Sequence, residues 1–167
     1  MWWEGPVCCV VHLTHWGSRA GYCRVPEGHP WHGLHHTDAG PVLLHEFDGE
    51  ILSEEALDDF GAIPLMVAAM TGSVDEFACT PAGQIRVHGG VTYAGPLRFV
   101  VGAPRGWWFG FDCAHADDAP EPDHPHTQLL RDGGLLVECG TVRTLEFVQF
   151  ECKRMATSIM AGMRAGR

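Results

Sequence analysis

The stretch Thr141-Val142-Arg143-Thr144-Leu145-Glu146-Phe147-Val148-Gln149-Phe150-Glu151-Cys152-Lys153-Arg154-Met155-Ala156-Thr157-Ser158-Ile159-Met160-Ala161-Gly162-Met163-Arg164 decides the fold. Apolar residues recur in it every third or fourth position, at Val142, Leu145, Val148, Cys152, Met155, Ile159 and Met163. Arg143, Glu146, Gln149, Lys153 and Arg154 fall between them. That period places the first set on one stripe of an α-helix and the second on the other side. An amphipathic helix of this length needs an apolar surface to cover, and the rest of the chain supplies short β-branched and aromatic runs that suit a sheet.

Trp107 to Phe111 reads as a buried strand, with Gly110 pointing to a bulge or a close approach of a ligand. Val7 to His12 and Gly21 to Val25 flank a polar connector and form a hairpin with a long turn. Val42 to Phe47, Ile85 to His88, Val91 to Ala94 and Leu97 to Val101 are further strand candidates. Ser53 suits a helix N-cap ahead of Glu54 and Glu55, with Ala56, Leu57 and Phe60 on the apolar face. Gly61 and Pro64 interrupt that helix before Leu65 to Met70, while Asp75 to Cys79 reads either way. Ala116 to His126 holds three prolines and four acids and is predicted as a surface loop. Together these elements predict an α+β fold, one domain over residues 1–167, in which the long C-terminal helix covers a largely antiparallel sheet.

Composition narrows the function classes. With 21 acidic against 11 basic residues the formal charge is -10, which disfavours a nucleic acid polymer or an anionic membrane as partner. A single small phosphorylated ligand remains compatible. At 167 residues the chain buries enough surface to fold without disulfides or metal, so no cofactor is required for folding and a metal would serve chemistry. The apolar run at Val7 is short and is not preceded by basic residues, unlike a signal peptide or membrane span. Seven cysteines without a Cys-x-x-Cys spacing suggest reduced thiols and a cytoplasmic protein, and these features leave room for a homo-oligomer.

Two motifs carry candidate chemistry. His88-Gly89-Gly90 ends one apolar run and precedes another, and paired glycines admit positive φ and close approach of a ligand to backbone amides. A plain hairpin turn needs the same glycines. In Trp107-Trp108-Phe109-Gly110-Phe111-Asp112-Cys113-Ala114-His115 a buried strand runs into Asp112, and His115 is near enough in sequence to be its partner. An aspartate on one imidazole nitrogen would fix the tautomer and raise the basicity of the other. The alternative is that Asp112 caps the following turn. Cys113 is read as buried and inert, and His32, His35 and His36 as exposed loop histidines. His29, between Gly28 and Pro30, is the constrained one and is carried forward with Trp31 as ligand-binding, beside Gly89, Gly90, Thr92 and Tyr93.

Gly21 to Pro26 with Gly28-His29-Pro30-Trp31-His32-Gly33, then Val87-His88-Gly89-Gly90-Val91-Thr92-Tyr93, then the block ending at His115, resemble an uncharacterised family of small phage and actinobacterial proteins. In that family the last block continues His-Ala-Gly-Asp, whereas here Ala116 is followed by Asp117. The resemblance implies a phage setting, in which a nucleotide-derived immune signal is the substrate class to expect. Two functions then compete, beside a structural interaction protein whose motif residues only pin turns. One is a hydrolase of a phosphodiester in which His88 and His115 act as acid and base, Asp112 orients His115, and the Gly89 and Gly90 amides receive an oxyanion. The other is a non-catalytic protein that sequesters the same ligand by stacking on Trp31, Trp107 or Tyr93 and pairing a phosphate with Arg24 or Arg86.

Overall fold

The computed structural model describes residues 1–44, 58–61, 65, 74–135 and 140–165. Strands β1 (Trp2–Glu4), β2 (Val7–Leu13) and β3 (Arg19–Val25) follow one another through turns, the first at Gly5-Pro6. Helices α1 (Val74–Ala78) and α2 (Pro81–Gln84) come next, then β4 (Tyr93–Gly95) and β5 (Trp107–Asp112). The two-residue strand β6 (Asp118–Ala119), helix α3 (Pro125–Asp132), the short β7 (Thr141–Val142) and the long α4 (Leu145–Ala165) complete the order.

The five-stranded sheet has the order β1-β2-β3-β5-β4, and every neighbouring pair is antiparallel. The α+β fold with an antiparallel sheet under a C-terminal helix is therefore as the helix period predicts. Because side chains alternate across a strand, Cys9, Cys23, Phe109 and Phe111 enter one core cluster while Cys8, Val10, Tyr22 and Trp108 enter a second. Helix α4 contributes Val148, Cys152, Met155, Ala156 and Ile159 to the first of these, all fully buried. Gly21 permits the close approach, since a Cβ there would stand 2.7 Å from Cys152 Sγ and closer still to the Phe111 ring. The ends of the predicted stripe lie outside the core: Leu145 is 43% exposed, while Glu151 is buried instead.

Several local expectations are corrected. Ile85 to His88 is no strand, because its N–H groups go elsewhere: Val87 N donates to Asp59 O and His88 N to the Glu151 carboxylate. Leu97 to Val101 is not one either; Leu97 is buried but Phe99 and Val101 face outward. Of Val91 to Ala94 only Tyr93 onward is paired in the sheet. Val42 to Leu44 carries no strand, Leu43 N and Leu44 N being bound by the Gln84 side chain, and the remainder of that candidate lies outside the described residues. The Ser53 cap and its first turn, and Met66 to Met70, also lie outside them, whereas Phe60 is helical, Gly61 is not, and Asp75 to Ala78 is helix. Gly110 makes no bulge; it is in regular register with Tyr22 and Tyr93, and a Cβ on it would strike the Tyr22 ring. The acidic, proline-rich stretch is more than a surface loop, for it holds β6, which pairs parallel with β7, and Pro125 opens α3.

Candidate functional site

At the end of β5 the chain turns, and Asp112 caps that turn: its Oδ1 accepts from Ala114 N at 3.2 Å and its Oδ2 from Thr92 Oγ1 at 2.8 Å. His115 follows, and its carboxylate partner is Asp118, not Asp112. Both the His115 backbone N (3.0 Å) and its Nδ1 (3.2 Å) lie on Asp118 Oδ2. His88 Nε2 faces the same carboxylate at 3.0 and 3.1 Å, and Arg143 Nε donates to Oδ1 at 2.7 Å. The Asp118 side chain is only 1% exposed. The β6–β7 pairing explains the geometry, because it sets Asp118 opposite Thr141 and brings Arg143 alongside.

His88 is fixed from both sides. Its backbone N donates to Glu151 Oε2 on α4 at 2.8 Å, and its Nδ1 lies 3.2 Å from Asp58 Oδ1. Arg154 in turn holds Glu151 at 3.1 Å and Asp59 at 2.8 Å, which offsets the cost of a buried carboxylate. The His88 and His115 rings meet edge to face with centroids 5.3 Å apart, and Phe147, beneath the Arg143 guanidinium, packs on His88 in the same way. Burial pushes the Asp118 carboxyl up, but the hydrogen bonds with His115, His88 and Arg143 outweigh it and hold the group well below the usual carboxylate range. The bond to Asp118 raises His115, burial opposes it, and the charges of Asp112, Asp118 and Asp58 add to the rise.

The two histidines proposed from sequence are thus brought together, but their surroundings differ from those expected. Both ring nitrogens of His88 are turned to carboxylates, so it offers none to a substrate. His115 Nε2 has no hydrogen-bond partner among the described residues, and its side chain is 33% exposed. The Gly89 and Gly90 amides form no oxyanion hole, since Gly89 N donates to Asp58 O at 2.6 Å and Gly90 N to Val87 O at 2.8 Å. Gly89 matters for another reason: at φ +67° it lies under the His115 ring, where a Cβ would stand 1.9 Å from Cε1.

Thr92 acts on Asp112, and Tyr93 packs in the second core cluster with its hydroxyl on Pro96 O. His29 and Trp31 are core residues. Trp31 N donates to His29 Nδ1 at 3.0 Å, so Nε2 carries the hydrogen and donates to Ile159 O at 2.9 Å. Trp31 is 0% exposed with its indole N–H on Pro41 O, so no ligand can stack on it in this arrangement. Arg24 is bound to Arg105 O and lies beside Glu27. Cys113 is buried, and burial with nearby carboxylates pushes its thiol up to about 12, as expected of an inert cysteine.

Sequence reasoning missed Asp118, Arg143, Asp58 and Glu151. One ligand atom from each of His88, His115 and Asp118 lies within 4.8 Å of the others, a donor set suited to a divalent metal. Nearby, a groove of about 650 Å³ is lined by Gln84, Arg86, Phe150, Lys153, Arg154 and Thr157 among others. No family model, curated protein or solved structure matches the chain. No helix among the described residues is long and apolar enough to cross a membrane.

Proposed function

We propose that the chain is a small hydrolase that cleaves a phosphodiester in a nucleotide-derived signalling molecule, with His115, His88 and Asp118 at its reactive centre and Asp112 shaping the adjoining turn. The supporting observation is convergence: residues distant in sequence meet a carboxylate that is 1% exposed, and one of them, His115, keeps a ring edge open to solvent. Buried ionisable groups clustered at this density are costly to keep together, and such clusters concentrate at functional sites. Substrate meets the protein at His115, Asp118 sets the orientation of that ring, and Arg143 offsets the carboxylate charge. His88 positions Asp118.

A panel of cyclic and linear nucleotides incubated with the protein tests this reading. Consumption of one of them, reduced by at least about 100-fold in His115→Ala while the melting temperature stays within a few degrees, supports it. Every nucleotide recovered intact, from wild type at high enzyme concentration, overturns it.

Sequestration has a different seat from the one the aromatic motifs indicated. The groove brings the exposed Phe150 together with Lys153, chemistry suited to a base and a phosphate. Intact ligand released on denaturation, with binding lost in Lys153→Ala and Phe150→Ala but kept in His115→Ala, is the result this alternative requires.

A further inference from the structure

We infer that His88 Nε2, His115 Nδ1 and one oxygen of Asp118 bind a single divalent transition-metal ion of the zinc class. Electron pairs are the first ground. His88 Nδ1 faces Asp58 Oδ1 at 3.2 Å, and an ionised carboxylate only accepts, so that nitrogen carries hydrogen. Its Nε2 faces the Asp118 oxygens at 3.0 and 3.1 Å, so a cation lying between them would meet an imidazole nitrogen on one side and a carboxylate on the other.

Spacing is the second ground. Zinc bonds of about 2.0–2.1 Å in a tetrahedron set neighbouring ligand atoms roughly 3.4 Å apart. His88 Nε2 and His115 Nδ1 stand 3.0 and 3.2 Å from Asp118 Oδ2, and all three donors lie within 4.8 Å of one another, so a rotation of the His115 ring closes the remaining edge. Two imidazoles and one carboxylate form the three-ligand set that leaves a position open for substrate or water.

The outer groups are also in place. Metal-binding histidines usually give their second N–H to a carboxylate, which is what Asp58 offers His88, and ligating carboxylates are themselves hydrogen-bonded, as Arg143 Nε holds Asp118 Oδ1. Glu151 fixes the His88 backbone, and the 33% exposure of the His115 side chain gives an entry path. The site itself stands apart from the hydrolase reading; only its consequence, Lewis-acid polarisation of a phosphoryl oxygen, rests on that reading.

The test uses the full chain, stripped with chelator, incubated with Zn²⁺ or Co²⁺ and desalted before metal analysis. About one ion per chain and visible cobalt ligand-field bands are expected in wild type. Affinity should fall at least about 100-fold in His115→Ala and about 10- to 100-fold in Asp58→Asn, and remain unchanged in His35→Ala. Asp118→Asn should abolish binding, and His115→Ala decides the matter if that variant does not fold. Substoichiometric zinc in wild type, or a stoichiometric ion retained equally by His115→Ala, overturns the inference. Stoichiometric zinc of the expected variant pattern with every nucleotide left intact keeps the site and removes the hydrolase; substoichiometric zinc with nucleotide turnover undiminished in metal-stripped protein keeps the hydrolase and removes the site.

Discussion

Gly89→Ala should damage the site more than the fold, and its magnitude follows from two separable costs. Gly89 has φ +67°, in the left-handed region, where a side chain costs roughly 1–2 kcal/mol. The added Cβ would also stand 1.9 Å from His115 Cε1, where ordinary contact is about 3.5–4.0 Å, so the ring must retreat by roughly 1.5–2 Å. Such a retreat breaks the 3.2 Å contact of Nδ1 with Asp118 and adds an overpacking penalty of roughly 1–3 kcal/mol. The sum, about 2–5 kcal/mol, lowers the melting temperature by roughly 5–15 °C for a chain of this size. Gly28→Ala is the control, because Gly28 has φ +82° and an added methyl there would meet nothing within 4 Å, leaving backbone strain alone and a fall of roughly 3–6 °C. Thermal melts of both variants, with histidine ring ¹H–¹⁵N spectra, measure the difference. Equal melting temperatures for the two variants, with unmoved His115 ring resonances, would refute the contact between Gly89 and His115.

On α4, Ile159→Asp places an unpaired charge at a fully buried position and should cost more than about 4 kcal/mol, whereas Leu145→Asp, at 43% exposure, should stay within about 1 kcal/mol; comparable urea midpoints for the two would show that the helix faces otherwise. Asp118→Asn removes the acceptor shared by His88, His115 and Arg143 and should destabilise by about 3–5 kcal/mol, a loss that calorimetry would register and that a wild-type melting curve would contradict. Acid should destabilise the protein through His36, whose pKa burial lowers to about 4, and through His29, lowered by burial as well. The unfolded chain takes these protons first, so their contribution is complete above about pH 6.5 and is lost as pH falls through that value toward the folded pKa. For His36 the loss between pH 7 and 4 is on the order of 2 kcal/mol, and a His36→Gln variant losing as much as wild type over that range would exclude it as the source.

The sheet and α4 were legible because their patterns are regular over many residues. Val7 to Leu13, Arg19 to Val25 and Trp107 to Asp112 alternate between two buried clusters, and Val148, Cys152, Met155 and Ile159 keep helical spacing. Ile85 to His88 has the same apolar character, yet its backbone is claimed by Asp59 O and Glu151, partners that no local pattern announces. The site was half legible. Histidines beside strand ends and glycines drew notice, and the capping role weighed for Asp112 is the geometry it has. Asp118 was hidden by its neighbours: four acids and three prolines resemble a solvated loop, and only the two-residue pairing with Thr141-Val142 pulls that carboxylate inside. His29 and Trp31 misled for the opposite reason, since a constrained Gly- and Pro-rich segment serves packing as readily as binding.

The β6–β7 pair has a consequence for biosynthesis. Asp118 receives Arg143, and His88 receives Glu151, from the far side of α3. A growing polypeptide that has emerged only as far as Asp132 therefore carries His88, His115 and Asp118 but neither Arg143 nor Glu151. Premature termination anywhere before Glu151 removes the carboxylate that binds the His88 backbone N–H, so a site with all its supports requires translation past that codon.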